Sequence, residues 1–348
     1  MNRLRKSIAN ASLWSAVFWI SFGGAAASTA RADEWQVKAG AEAPDMGPQA
    51  LAFLPNELWI HAGDTVRFVF TTHERHTATF LKPGQVRPPN FGPVFGIEVG
   101  CPGSTPDGAS FDGSSCVNSN ILLLNETSGP GPLTYSVFFP SPGNFKMVCL
   151  VHPDMTGVVH VVDPTAALPH DHDFYEDEGK KVEGLLLADA AQLKGEVNHG
   201  DDERWQSGPV AAGVGQVVTT TGAGSQTASL MRFVREIVVA RVGDTVEWTS
   251  LDPSINHTVT FGTEPDDPRP ALNATTTSDG ARQAIISSPS DSVNSGFLSP
   301  APQDRANLAQ SNPGVTRFRV TFMAPGVFHY ICAIHDEEGM KGTVIVHP

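Results

Sequence analysis

The sequence predicts an all-β protein made of two tandem β-sandwiches joined by a partly helical linker. Three observations carry this. The chain repeats itself: ELWIHAGDTVRFVF around Gly63 returns as EIVVARVGDTVEWT around Gly243, and FPSPGNFKMVCLVHPDMTGVVHVV returns as FMAPGVFHYICAIHDEEGMKGTVIV. The offsets agree, at 180 residues from Gly63 to Gly243, 181 from His76 to His257 and 183 from Cys149 to Cys332. Within each repeat apolar residues alternate, as at Val66, Phe68 and Phe70 and again at Val246 and Trp248, which is the period of a strand with one buried face. Finally, 33 glycines and 27 prolines among 348 residues, with only 17% charged, suit a turn-rich β protein. The same figures disfavour a coiled coil, a helical bundle or a wholly disordered chain.

In chain order, residues 1–32 have the parts of a secretory signal. Arg3, Arg5 and Lys6 precede an apolar run from Leu13 to Ala27, and Ala30-Arg31-Ala32 supplies a small-residue cleavage site. The run is shorter than the roughly 20 residues a membrane span needs, so cleavage near Ala32 and a periplasmic or secreted chain without a span are expected. The first domain covers 33–165 and the second 206–348. In the linker, 166–205, Val182, Leu186, Ala190 and Leu193 fall at helical spacing and predict a short amphipathic helix that packs on one domain or on a second subunit. His170 and His172 precede it and read as solvated linker residues. Insertions at 82–133 and 262–312, rich in Gly, Ser, Pro and Asn, read as surface loops without an assigned role.

The formal charge is −14, and losing residues 1–32, with four basic and no acidic side chains, takes it to −18. There is no basic stripe, so nucleic acid is excluded as a partner. An acidic surface steers basic proteins instead.

Four cysteines occur. Cys101 and Cys116 flank CPGSTPDGASFDGSSC, and in an exported protein a local disulfide is expected there; two free thiols or a metal site are the alternatives. The other two lie in clusters. Cys149, His152 and Met155 follow one strand, with His76 upstream; Cys332, His335 and Met340 follow the equivalent strand, with His257 upstream. One thiolate, two imidazoles and a thioether are the donors of a copper site with a weak axial methionine, and they suit both copper oxidation states. A lone buried Cys or a core Met is commonplace. The same four residue types in the same order in two repeats are not. A structural zinc site is a poor fit without a second thiolate or a carboxylate.

These residues resemble the cupredoxins, the small blue copper proteins: GDTV ahead of the histidine-bearing strand, NHTVTF, and Pro-Gly before C-x2-H-x(2 or 4)-M-x-G. CAIHDEEGMKGTVIV looks like plastocyanin and pseudoazurin; CLVHPDMTGVVHVV, with its shorter gap and Pro153, is closer to amicyanin. The resemblance implies Greek-key sandwiches with a type 1 copper near one end of each, two ions per chain, and a solvent-near His152 or His335 edge for electron exchange. It also implies that Asn256 ties the ligand loops together, a role for which the first domain has Arg75, so the two potentials are expected to differ. His73 is an outside candidate ligand.

An electron carrier is therefore the leading expectation, with a basic c-type cytochrome or an oxidoreductase as partner. Copper storage or delivery is the alternative, although only seven methionines occur. A two-domain multicopper oxidoreductase of nitrite reductase or laccase type would need further histidines. Val148 and Ile331, not His, precede the cysteines; Leu81 and Gly262 stand five residues after the first ligand histidines; the one H-x-H pair, His170 and His172, is in the linker. Catalysis would then need an oligomer with interface histidines such as His160 or His329, which read as strand residues facing away from the cysteine side.

Overall fold

The computed structural model describes residues 32–85, 104–125, 131–152, 154–199, 216–224, 227–298 and 315–348. Residues 1–31 of the expected signal segment, Cys101 of the expected disulfide, and Pro153 lie outside them. The first half runs β1 (Glu34–Glu42), β2 (Pro48–Leu54), β3 (Glu57–His61), β4 (Thr65–Phe70), β5 (Thr79–Phe80), β6 (Ala109–Ser110), β7 (Val117–Asn118), β8 (Leu133–Phe138), β9 (Gly143–Val148) and β10 (Thr156–Val162). Helix α1 (His172–His199) follows. The second half runs β11 (Gln216–Gly224), β12 (Ala228–Val234), β13 (Ile237–Arg241), β14 (Thr245–Leu251), β15 (Thr260–Phe261), β16 (Thr275–Thr276), β17 (Arg282–Ile286), β18 (Val293–Asn294), β19 (Arg317–Phe322), β20 (Gly326–Ile331) and β21 (Lys341–His347).

Each half stacks two sheets. The ligand-bearing sheets are separate, ordered β3-β10-β9-β5-β7 and β13-β21-β20-β15-β18. The other two are fused into a single 11-stranded sheet, β16-β17-β19-β14-β11-β12-β2-β1-β4-β8-β6. The fusion is an antiparallel pairing of β12 with β2, in which Gln49 faces Ser229, its own equivalent 180 residues on. A residue paired with its own repeat marks a pseudo-two-fold axis, so the halves meet as the two copies of a homodimer would. Joining two edge strands also removes two exposed edges, which would otherwise invite association.

Alternation places the core as expected. Val66, Phe68 and Phe70 are fully buried, with Phe80, Phe139 and Met147 among their neighbours. Val246, Trp248, Phe261, Phe322 and Tyr330 repeat the pattern. Aromatic rings meet edge-on, as with Phe68 and Phe80, the geometry that ring quadrupoles favour.

Two expectations need correction. The linker helix is 28 residues long, and it packs on β1 and β2 of the first half and on β11 and β12 of the second, so it braces the joint instead of serving one domain. Asp171 caps it by accepting the Phe174 N–H, and Val182, Leu186 and Leu187 pack on Ala41, Ala50, Ala52 and Leu54. Small residues on the strands let the helix come close; a Cβ on Gly179 would lie 3.2 Å from the Leu54 backbone. His170 and His172 sit at its start, stacked on Phe174 and Trp35. Nor are the insertions merely loops. They supply β6, β7, β16, β17 and β18, and they carry the strand-like segments that cover both ligand histidines. Among the described residues no helix is long and apolar enough to cross a membrane.

Candidate metal centres

His76, Cys149 and His152 bring one ligand atom each within 4.8 Å of one another, and His257, Cys332 and His335 do the same. Each set is assembled from the same parts. The cysteine follows the last residue of β9 or β20, and the loop after it closes through Cys149 N–H to Met155 O (2.9 Å) and Cys332 N–H to Met340 O (3.0 Å). That closure returns the chain as β10 or β21 and leaves Met155 and Met340 fully buried in the core cluster that holds the cysteine. The upstream histidine comes from the segment between β4 and β5, or β14 and β15. It is held by a two-way backbone bridge, His76 with Leu122 and His257 with Leu298.

Imidazole Nδ1 atoms face inward. Cys149 Sγ lies 3.7 Å from His152 Nδ1, which is 3.1 Å from His76 Nδ1. Cys332 Sγ lies 3.3 Å from His335 Nδ1 and 4.0 Å from His257 Nδ1. Each sulfur accepts a backbone N–H, from Thr77 at 3.4 Å and from Thr258 at 3.3 Å. The same threonines accept the N–H after the cysteine, Leu150 at 2.8 Å and Ala333 at 2.7 Å, so one residue ties the histidine segment to the cysteine loop.

Burial opposes ionisation of both thiols, yet the neighbouring imidazoles overcome it and hold Cys149 and Cys332 well below the usual thiol range. Burial likewise opposes charge on His152, but Cys149 and Glu74 push it up to about 9. His335 is raised for the same reasons. The sites thus stabilise a thiolate, the form that binds metal. Two imidazoles and a thiolate, with no carboxylate in the cluster and a buried thioether at hand, fit copper better than zinc. Copper held there would supply one-electron chemistry.

Two glycines shape the sites and were not legible in the sequence. β1 bulges between Ala39 and Ala41, and β11 between Thr221 and Ala223. The residues at the bulges, Gly40 (φ 77°) and Gly222 (φ 66°), lie against the ligand rings: a Cβ there would be 2.2 Å from His76 Nε2 and 2.5 Å from His257 Nε2. Only glycine allows both the left-handed backbone and the close approach. A repeated tripeptide also shapes both sites. Asn118 and Asn294 accept the Thr79 and Thr260 hydroxyls, and Ser119 and Ser295 accept the Ala78 and Val259 N–H groups, all buried. The signal was present as Val-Asn-Ser in both insertions.

The rings differ on their outer side. His257 Nε2 lies 3.2 Å from the buried Asp252 carboxylate, which orients it. His76 Nε2 has no hydrogen-bond partner. Asn256 is buried beside His257. Arg75, which stands in its place, reaches across the joint to donate to Ile334 O at 2.9 Å.

A further difference corrects the expected solvent-near edges. His152 and His335 are 1% and 2% exposed, at a joint where Glu74 and Arg75 of the first half reach His335 and Ile334 of the second. Between them stands Glu74, also 2% exposed, with Oε1 3.4 Å from His152 Nε2 and Oε2 3.2 Å from His335 Nε2. These are ion-pair separations; Oε2 and His152 Nε2 fall outside hydrogen-bond geometry. Burial raises the Glu74 pKa, and the two imidazoles more than reverse this, holding it well below the carboxylate range.

The other histidines stay outside the clusters. His73 Nδ1 pairs with Glu42 at 2.8 Å, His160 lies between Asn144 and Glu57, and His329 contacts Thr343 Oγ1 at 3.1 Å on an exposed strand face. Cys149 and Cys332 are not joined in a disulfide, and Cys116 is buried beside Val148 and Leu150.

Residues 219–347 match the family described as copper binding proteins, plastocyanin/azurin family. Among solved structures the chain is similar to a Cu(I) amicyanin mutant (16% identity over 38% of this chain and 83% of that one, TM-score 0.22). It is also similar to oxidized plastocyanin from Dryopteris crassirhizoma (18% identity, 38% and 100%, TM-score 0.23). No curated protein matches it significantly. The second half thus matches a plastocyanin/azurin copper-binding model over residues 219–347, and the first half repeats the same two-sheet architecture and the same His-Cys-His grouping.

Proposed function

We propose that the chain is an exported electron-transfer protein with two mononuclear type 1 copper sites. His76, Cys149, His152 and Met155 hold one ion, and His257, Cys332, His335 and Met340 hold the other. The observation that carries this reading is the burial of all eight residues, at 0–2% exposure. A metal so enclosed meets no substrate directly but exchanges electrons through its ligands. Enclosure also argues against storage or delivery, which need ligands that open to a partner. Export rests on the signal-like residues 1–32, and the acidic charge favours a basic redox partner such as a c-type cytochrome. The two domains, 33–165 and 206–348, are read from the repeat, and Cys101 with Cys116 is read as their one disulfide.

The test is copper stoichiometry with optical and electron paramagnetic resonance spectra on the chain lacking residues 1–32. Two coppers with intense thiolate-to-copper absorption and narrow hyperfine splitting are expected. Cys149→Ser and Cys332→Ser should each remove one copper and its share of the absorption. A third copper with ordinary splitting would revive an oxidoreductase, and copper without the blue band would point to storage or delivery.

A further inference from the structure

Glu74 is an unusual residue to bury. It is nearly inaccessible, belongs to neither ligand set, and touches both. Its place is built from several sides. Arg75 N–H donates to Glu74 Oε1 at 2.8 Å, and the Thr72 hydroxyl donates to Glu74 O at 3.0 Å, fixing the segment. The Arg75 guanidinium then clamps that segment to Ile334 O in the opposite ligand loop. The fused β2–β12 pairing and the apolar contact of Leu51 with Met231 and Ile255 hold the halves in register. The arrangement is thus a fixture of the joint.

Ring chemistry orients this contact. An imidazole that offers Nδ1 to a metal carries its one remaining proton on Nε2. In His152 and His335 that nitrogen lies at ion-pair distance from the same carboxylate, so the two ligand sets share one anion by charge and proximity, without hydrogen-bond geometry at either contact. From one ligand ring to the other the route is covalent except for two steps, of 3.4 and 3.2 Å.

We propose that Glu74 bridges the two copper centres, so that they exchange electrons with each other through His152, Glu74 and His335 and behave as a coupled pair. The inference rests on the copper reading above. With copper held by both ligand sets, one centre would be oxidised from Cu(I) to Cu(II) as the other was reduced, so that one electron would move and no proton would leave. Glu74 acts as a positioning residue: it holds both rings and places one negative charge beside both sites.

The experiment uses the copper-loaded chain lacking residues 1–32. After a pulse of one-electron reduction, equilibration between the centres is followed optically, with signals assigned from Cys149→Ser and Cys332→Ser. Exchange independent of protein concentration is expected, slowed about tenfold or more in Glu74→Leu. Glu74→Gln removes the charge but keeps the shape, and should raise both reduction potentials, since an anion beside copper favours Cu(II). An unchanged rate in Glu74→Leu, or a shift in only one potential in Glu74→Gln, overturns the bridge. Should these variants fail to fold, the unaltered Cu(I) protein is diamagnetic and suits nitrogen-15 magnetic resonance. There, Nε2–H signals of both His152 and His335 should resist exchange with water; free exchange of either one overturns the proposal. Failure of the copper reading would look different, as loss of the blue band in a protein whose metal-free His152 and His335 signals still respond to Glu74→Gln.

Discussion

Replacing Gly40 with alanine isolates how closely the fold presses on a ligand. The new Cβ would sit 2.2 Å from His76 Nε2, 2.7 Å from Cδ2 and 2.9 Å from Cε1, where ordinary contact begins at 3.4 Å. The ring must therefore give way by 1.2 Å, the difference between 3.4 and 2.2. That is more than the roughly 0.5 Å within which a metal site holds its geometry. The ring has little room, since Leu122 bridges its backbone and His152 Nδ1 stands 3.1 Å from its own Nδ1. Two costs add: about 1–2 kcal/mol for a side chain at positive φ and about 1–3 kcal/mol for overpacking. Gly84 is the control, with the same φ of 77° and nothing within 4 Å of its Cβ position, so Gly84→Ala bears only the first. Denaturant unfolding of the metal-free variants gives the difference, and the optical spectrum of the copper-loaded ones shows whether the site moved. Gly40→Ala should lose more stability than Gly84→Ala and have a weakened blue band from the first site. Equal losses with identical spectra would refute the argument. Gly222→Ala should act likewise on the second site and draw His257 from Asp252.

Thr77→Val deletes the acceptor of the buried Leu150 N–H while sparing the backbone bond to Cys149 Sγ; a loss of about 1–3 kcal/mol and faster amide exchange at Leu150 are expected. Thr258→Val should do the same at Ala333. Leu51→Ala empties part of the apolar contact with Met231 and Ile255, and should cost about 2–5 kcal/mol in a calorimetric transition that both halves share. Asp279 tests pH: the Arg319 guanidinium, helped by the Thr277 hydroxyl, holds its carboxyl far below the ordinary range. A carboxylate depressed by folding stabilises above its unfolded pKa and loses that contribution as pH falls through its folded value. The stability difference between the wild type and Asp279→Asn should therefore be widest near neutrality and shrink below about pH 4.

The metal ligands were readable because metal binding dictates residue type, and three of each four ligands lie within seven or nine residues. The fourth, His76 or His257, was recovered only because the chain states the arrangement twice. Strand alternation was legible for the same kind of reason, since burial on one face constrains every second residue. The bulge glycines were harder to see. Gly40 and Gly222 sit in ordinary-looking small-residue stretches, and their need arises from a ring that approaches from another part of the chain. The Val-Asn-Ser repeats were visible but lay in segments whose composition reads as loop.

Glu74 marks the boundary between the two kinds of information. From the sequence alone came the two sandwiches, their thiolate-imidazole-thioether sets and the chemistry those donors permit, because each depends on residue identity at short range or on the repeat. The tertiary structure decided that β2 and β12 share one sheet, that α1 braces both halves, and that His152 and His335 turn inward onto one carboxylate instead of outward to water. Backbone edges pair through groups common to every residue, so the joint leaves little trace in residue type, and what the joint encloses follows only from how the halves meet.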